Sequence, residues 1–292
     1  GRATLFDNTS GGYNTAIGGE SLIINLTGNL NTANGYRSLY SNFSGSNNAA
    51  NGVYSLYSNR TGDYNTASGD SSLYSNTTGN YNTANGYFSL YSNTEGSNNT
   101  SIGAESGKNI TTSANNVLIG NGSGRGQSGA FTSSNNTFLG YQSGYSIATT
   151  TGNLFLGYKA GYSQTTGDNN ILLGYDNNLA STTGSNQLNI GNLVYATNLG
   201  INGAASIGNV GIGTTTPSSR LFVQGFGSVN PFSIASSTGS TLLTVLANGN
   251  VGVGSTTPGY LLGVAGTLGV TGTSTLATTT VTRLSLSGSL FD

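Results

Sequence analysis

NTANGYRSLYSNFSGSN, residues 31–47, indicates the fold, because the chain returns to nearly the same seventeen letters three more times in succession. It is followed by NAANGVYSLYSNRTGDY at 48–64, NTASGDSSLYSNTTGNY at 65–81 and NTANGYFSLYSNTEGSN at 82–98. A fixed period this short is typical of a solenoid, whose successive coils stack like rungs. The repeat therefore predicts a solenoid of 17-residue coils.

Two residue types keep the phase of the repeat well beyond these four copies. An asparagine recurs every 17 residues, and after one step of 20 the series resumes and ends in a glutamine: Asn14, Asn31, Asn48, Asn65, Asn82, Asn99, Asn116, Asn136, Asn153, Asn170 and Gln187. A glycine follows each of them by four residues, from Gly18 to Gly191. The markers predict eleven coils within residues 1–191.

Short β-type runs bounded by Gly and Asn are typical of strands, and no helical periodicity competes with them. We expect two strand-like segments in each coil, with a leucine such as Leu39 filling the coil and the adjacent tyrosine joining a stack. Stacking also predicts that Glu20 contacts Arg37, that the asparagines from Asn8 to Asn93 form an amide ladder, and that the glycines take positive φ. The predicted fold class is all-β, a parallel β-solenoid.

The strand segments become apolar towards the end of the solenoid, as in NVLIG at 116–120, NLFLG at 153–157 and NILLG at 170–174. A 17-residue coil has room for one thin interior. If Val117 and Ile119 point inward, a second apolar face remains and needs cover from another chain. That face would consist of Leu118, Phe138, Phe155 and Leu172. We therefore expect a homotrimer around one axis.

A second repeat begins after the solenoid. GNVGIGTTTPSSRLFVQG at 208–225 recurs as GNVGVGSTTPGYLLGVAG at 249–266, an offset of 41 residues. After Asp176 the only charged residues are Arg220, Arg283 and Asp292, so much of this surface is expected to be buried between chains. Residues 192–292 are predicted to form a β-rich shaft, in which three chains interlace.

The N-x-x-x-G coil, as in NNVLIGNGSG and NTAIGGES, resembles the head repeats of trimeric autotransporter adhesins, which are left-handed parallel β-rolls packed as trimers. It is also similar to repeats of trimeric bacteriophage tail fibres, and the GNVGIGTTTP segment resembles fibre shafts. The coil of 17 residues is longer than those adhesin heads typically use. The resemblance implies a location outside the cell, at its surface or on a virion.

The composition excludes several function classes. Charged residues make up 6% of the chain and the net charge is −1, so neither nucleic acid nor an anionic membrane is an expected partner. Without His or Cys, the chain lacks imidazole catalysis and thiolate metal sites. GNGSGRGQSG at 120–129 lacks the lysine of a phosphate-binding loop and is interpreted as a longer turn carrying Arg125. We expect no enzyme activity, no cofactor, no metal and no membrane insertion.

The function expected from these features is a structural extracellular fibre or filament subunit, homotrimeric and able to polymerise head to tail. The end-to-end contact would use Leu5, Phe6, Leu290 and Phe291, because SLFD at 289–292 matches TLFD at 4–7. A unit of a longer tandem chain, or a chance match, would explain the same letters. The alternative function is a phage tail fibre or adhesin head that binds a surface carbohydrate at Tyr40, Tyr57, Tyr74 and Tyr91.

Overall fold

The computed structural model describes residues 3–127, 132–200 and 208–268, and every regular element in them is a β-strand. The chain divides into two compact units, Gly1–Gln224 and Gly225–Asp292. The first contains a sheet of 14 strands in sequence order: β1 (Thr15–Ile17), β2 (Thr32–Asn34), β3 (Ala49–Asn51), β4 (Thr66–Ser68), β5 (Thr83–Asn85), β6 (Thr100–Ile102), β7 (Val117–Ile119), β8 (Thr137–Leu139), β9 (Leu154–Leu156), β10 (Ile171–Leu173), β11 (Leu188–Ile190), β12 (Val194–Ala196), β13 (Val210–Ile212) and β14 (Leu221–Val223).

Strand pairing in the sheet follows the 17-residue repeat of the sequence. Strands β1 to β11 pair in parallel with their neighbours, and partner residues are 17 apart, as in Thr15 with Thr32. The single step of 20 residues joins β7 to β8, where Val117 pairs with Thr137. Since strands in a sheet lie about 4.8 Å apart, eleven of them span roughly 50 Å. The predicted all-β, parallel β-solenoid with 17-residue coils is confirmed.

The prediction of two strand-like segments per coil is wrong. Each coil has one strand of three residues, and the segment around Leu39 and Tyr40 is a series of turns. The leucines of this segment adopt φ between +48° and +51° at Leu22, Leu39, Leu56, Leu73 and Leu90. A left-handed residue reverses the chain quickly enough to close a short coil, at a cost of about 1–2 kcal/mol for a residue with a Cβ. Bonds between coils, such as Leu39 N–H to Ser55 O at 2.9 Å, offset that cost.

A column of asparagines, all buried except Asn8 at its start, holds the turns together. In the column from Asn8 to Asn93, each side-chain amide donates to the Oδ1 of the preceding coil at 2.7–2.9 Å, which confirms the amide ladder. The same amides also donate to a glycine carbonyl three residues later, as Asn42 does to Gly45 at 2.7 Å. The ladder ends because the next coil carries Ile110, and the Oδ1 of Asn93 is buried without a partner in the described part of the chain.

Two positions of the coil, one in the strand and one in the turn, fill the core together. Where one of them carries a large residue, the other carries a small one. In the early coils a small residue in the strand, such as Ala67, lies with a large one in the turn, Leu73, and both are fully buried. In the later coils the strand carries Phe155 and the turn carries Gly161. A Cβ on Gly161 would lie 2.6 Å from the Phe155 ring. Both kinds of coil therefore enclose one large side chain at this level, whereas the coil between them carries Ser101 and Gly107 and its space lies beside Leu90, Leu118 and Ile110.

The same packing corrects the expectation that Val117 and Ile119 point inward and leave Leu118 and its equivalents outside. Leu118, Phe138, Phe155 and Leu172 are at most 1% exposed and fill the interior. Their neighbours Val117 and Ile119 point outward instead of inward. The physical reason is the alternation of a strand, which sends the middle residue of each three-residue strand to the face opposite its neighbours. An outward apolar face still exists, made of the other two residues of each strand.

The parallel run ends at β11, where β12 pairs antiparallel with it, and β13 and β14 complete the sheet as a parallel pair. The second unit is described separately as a sheet of four strands, β15 (Phe232–Ala235), β16 (Thr241–Val245), β17 (Val251–Val253) and β18 (Leu262–Val264). Its β17–β18 pair repeats the β13–β14 pair at the 41-residue offset. In both, an asparagine donates to a proline carbonyl at 2.9 Å, Asn209 to Pro217 and Asn250 to Pro258.

Candidate interaction surfaces

The four predicted tyrosines lie together and form what we call the tyrosine stack: Tyr40, Tyr57, Tyr74 and Tyr91. Successive ring centroids are 5.1, 5.0 and 5.1 Å apart, and the rings are within 16° of parallel. Each ring follows a buried leucine whose left-handed backbone turns the next side chain outward. The 17-residue register places one ring above another, so the predicted stack is confirmed.

A second aromatic row and one ion pair flank the tyrosine stack. Tyr54 lies edge-on to Tyr57, with 5.7 Å between ring centroids. The guanidinium of Arg37 lies 5.1 Å from the Tyr36 ring centroid and donates from Nε to the carboxylate of Glu20 at 2.7 Å. This confirms the predicted Glu20–Arg37 contact, and the hydrogen bond to Glu20 raises the pKa of Arg37 further above its ordinary value.

The geometry of the tyrosine stack limits what it offers to a ligand. Both faces of the Tyr57 ring are covered, by Tyr40 on one side and Tyr74 on the other. Burial among these rings raises the pKa of the Tyr74 hydroxyl, so the phenol remains a protonated donor well above neutral pH. What the inner rings present to solvent is a row of edges and hydroxyls, one for each coil.

The outward residues of β6 to β11 form what we call the apolar strand face, in which all but Thr100 and Thr137 are apolar. Seven of them are between 36% and 42% exposed: Ile102, Val117, Leu139, Leu154, Leu156, Ile171 and Ile190. These six strands contain no charged residue. A largely apolar surface on one side of a sheet is typical of a site that another surface covers.

The same two columns are polar in β2 to β5, which we call the polar strand face. Its outward residues are Thr32, Asn34, Ala49, Asn51, Thr66, Ser68, Thr83 and Asn85. Asn34 donates to Asn51 at 3.1 Å, so neighbouring coils are also linked on the outside. One continuous sheet therefore carries a polar half and an apolar half on the same side.

A bridge of charged residues connects the coils near the boundary between the two halves. Glu105 accepts from Lys108 at 2.7 Å and from Arg125 at 2.9 Å, and Arg125 also donates to the Tyr145 hydroxyl at 2.8 Å. The hydrogen bond from Lys108 holds the pKa of the Glu105 carboxyl below its ordinary value. Arg125, assigned from the sequence to a longer turn, joins three coils through these contacts.

The second unit has little interior of its own. Among its described residues Thr244, Gly252 and Pro258 are buried, but no large apolar side chain is. Leu242, on β16, is 51% exposed, and Leu262, on β18, is 57% exposed. A small sheet with no buried apolar layer is not expected to be stable without further cover.

The described residues include only the N-terminal half of the predicted end-to-end contact. Leu5 packs partly buried against the core, and Phe6 is 75% exposed. Leu290 and Phe291 lie outside the described residues, so their half of the contact stays a prediction.

Across the described ranges, no three His, Cys, Asp or Glu side chains come together as a group able to hold a metal ion. The described residues also contain no helix that is long and apolar enough to span a membrane.

The chain was compared with family models, with curated proteins and with solved structures. No family model, no curated protein and no solved structure matched it.

Proposed function

We propose that the chain is a non-enzymatic structural subunit of an extracellular fibre, in which three copies pack through their apolar strand faces. The observation that carries this proposal is the apolar strand face itself, two uncharged columns continuing over six strands. A catalytic protein would instead need converging polar or titratable groups. The resemblance of the coil to trimeric adhesin heads and tail fibres supports three as the number of copies.

The size of the apolar strand face supports association. Its seven most exposed side chains, about two-fifths exposed, amount to roughly 500 Å² of apolar surface, against about 800 Å² per partner in a standard interface. Ile119, Leu173 and Leu188 are partly exposed beside them and extend the same columns. The bare four-stranded sheet of the second unit would be covered in the same assembly, as the interlaced shaft requires.

The mechanical role follows from the bonding between coils. Every coil of the solenoid is tied to the next by backbone hydrogen bonds and by buried amides. Such paired edges leave few openings for local unfolding or proteolysis. We propose that reach and rigidity at a cell or virion surface are the function, and that the subunits join head to tail.

The first test is the mass of the purified chain in solution by light scattering. The proposal predicts three times the chain mass of 29.5 kDa for a single trimer, and multiples of that mass where trimers have joined head to tail. A monodisperse monomer at micromolar concentration would contradict it. Electron microscopy of the same sample then distinguishes a filament subunit from a tail fibre. Head-to-tail polymers give open filaments, whereas a tail fibre gives discrete short rods.

Carbohydrate binding is the alternative function, and the row of tyrosine hydroxyls favours it. A glycan array read with Tyr74→Phe/Tyr91→Phe tests it, because phenylalanine keeps the ring stack and removes two hydroxyls. Loss of a glycan signal in this variant would support an adhesin head. An array on which the unchanged chain binds no glycan would remove the alternative.

A further inference from the structure

Tyrosine is the side chain of this protein that oxidation reaches most easily. The sequence contains 17 Tyr and no Cys, Met, Trp or His. Cysteine and methionine are the usual sinks for oxidants in proteins, and neither is present to compete. A one-electron oxidant acting on this chain therefore leaves its radical on a phenol.

The solenoid register sets many of these phenols in pairs one coil apart. Outside the tyrosine stack, the most nearly parallel pair is Tyr64 with Tyr81, whose ring centroids are 4.9 Å apart and whose planes differ by 1°. Both residues have the same backbone conformation, with φ of +57°. Their N–H groups make equivalent bonds to the preceding coil, to Ser46 and Asp63 at 3.0 Å.

Exposure and isolation distinguish this pair from the tyrosine stack. Tyr64 is 51% exposed and Tyr81 is 58% exposed, so an oxidant in solution can reach both rings. The equivalent positions one coil before and one coil after are Asn47 and Asn98, so no third ring continues the pair. A radical formed on either ring has one neighbouring phenol in contact.

We propose that Tyr64 and Tyr81 are a site of dityrosine cross-linking, which joins two adjacent coils covalently. Two equivalents of a one-electron oxidant, of the peroxidase or photochemical class, each remove one electron and one proton from a phenol. The two tyrosyl radicals form one carbon–carbon bond between their ortho carbons, and each ortho carbon then passes its hydrogen to the phenol oxygen on rearomatisation. The pair loses two hydrogens in total.

The cross-link would staple the solenoid without changing its register. The rings already stack one coil apart, and their exposed edges leave room to tilt into the bond. A covalent tie between coils resists the unwinding by which a solenoid opens. The expected consequence is a higher urea midpoint for the oxidised protein than for the untreated protein.

The test is photo-oxidation of the dilute full chain, followed by peptide mapping with mass spectrometry and by dityrosine fluorescence. The proposal predicts a peptide that joins residue 64 to residue 81 with the loss of two hydrogens. If dityrosine forms between other residues while this peptide is absent, the proposal is wrong. Predominant cross-linking between separate chains, seen as a dimer band under denaturing conditions, would also overturn it.

Two variants provide matched controls. Tyr64→Phe keeps an aromatic ring in the stack but removes one phenol, so the cross-link should disappear while the fold is retained. Tyr81→Asn/Asn98→Tyr keeps 17 tyrosines and moves the second ring two coils away, roughly 10 Å. A cross-link between 64 and 98 as abundant as the native one would contradict the role of stacking. The Tyr158–Tyr175 pair, at 4.8 Å, is unchanged in both variants and reports that oxidation occurred.

Discussion

The sizes of the buried strand residue and the buried turn residue constrain each other, and this is the strongest constraint on single residues. A coil accommodates one large side chain at this level, either Leu73 beside Ala67 or Phe155 beside Gly161. Ala67→Phe alone should destabilise the fold by about 1–3 kcal/mol through overpacking. Leu73→Gly alone should cost about 2–5 kcal/mol through the cavity it leaves, reduced by the about 1–2 kcal/mol of left-handed strain that glycine relieves at a φ of +50°.

The double variant Ala67→Phe/Leu73→Gly copies the later coils, so its loss of stability should be smaller than the sum of the two single losses. Urea denaturation of the four proteins measures this coupling, which we expect to exceed about 1 kcal/mol. Strictly additive losses would show that the two positions do not share one space.

A second residue prediction concerns Glu105. Its carboxyl has a pKa below the ordinary 4.5 because Lys108 donates to the ionised form. A lowered pKa stabilises the fold above pH 4.5, and this contribution is lost as the pH falls through the lower value of the folded state. Glu105→Gln lacks the contribution at every pH.

Thermal unfolding between pH 7 and pH 3 checks the effect of Glu105. The unchanged protein should melt higher than Glu105→Gln at neutral pH, and the two should converge in acid. Because the side chain is a third exposed, we expect a difference below about 1 kcal/mol. A difference that stays constant over this range would contradict the assignment to Glu105 ionisation.

At the scale of the element, the glycine after each strand is the position least able to change. Gly52 has a φ of +143°, and a Cβ there would lie 2.5 Å from the carbonyl oxygen of Gly69. Strained backbone alone costs about 1–3 kcal/mol, and the clash with a backbone atom adds to it. Gly52→Ala should therefore lower the urea midpoint strongly.

Gly12 is the matched control for this element. A Cβ on Gly12 would come no closer than 3.6 Å to its nearest neighbour, the Oδ1 of Asn29. Gly12→Ala should leave the urea midpoint nearly unchanged. If Gly52→Ala and Gly12→Ala lowered the urea midpoint equally, the spacing between coils would not depend on the lack of a Cβ at Gly52.

Much of the element level could be predicted from the sequence, because stacking copies one coil onto the next. The period alone places Glu20 against Arg37, Asn25 beneath Asn42 and Tyr40 on Tyr57. It does not determine the path of the chain within a coil. The left-handed conformation of Leu39 runs against its intrinsic preference and is imposed by closure of the coil. The β-type letters around Leu39 therefore indicate a strand where the structure has turns.

The sequence likewise predicts that an apolar surface exists on the solenoid, but not which residues form it. The letters of NVLIG and NLFLG indicate that one apolar set is inside and another outside, but not which is which. That choice depends on the size of the residue across the coil, here Gly161 against Phe155. Once the facing is known, the outward columns follow from strand alternation.

In the whole molecule, the apolar strand face is where we expect copies of the chain to associate. Polar and apolar halves of one sheet allow a direct comparison. Leu139 and Leu156 occupy the same outward column as Asn51 and Asn85. Lysine at either pair of positions adds two positive charges to an outward face of the solenoid.

Sedimentation of Leu139→Lys/Leu156→Lys beside Asn51→Lys/Asn85→Lys is the most direct measurement. Burying lysine ammonium groups between apolar faces without partners costs several kcal/mol, so the leucine variant should sediment as a folded monomer. The asparagine variant and the unchanged chain should sediment as trimers or as head-to-tail polymers of trimers. A leucine variant that still sediments as a trimer, or an unchanged chain that sediments as a monomer, would contradict association through the apolar strand face.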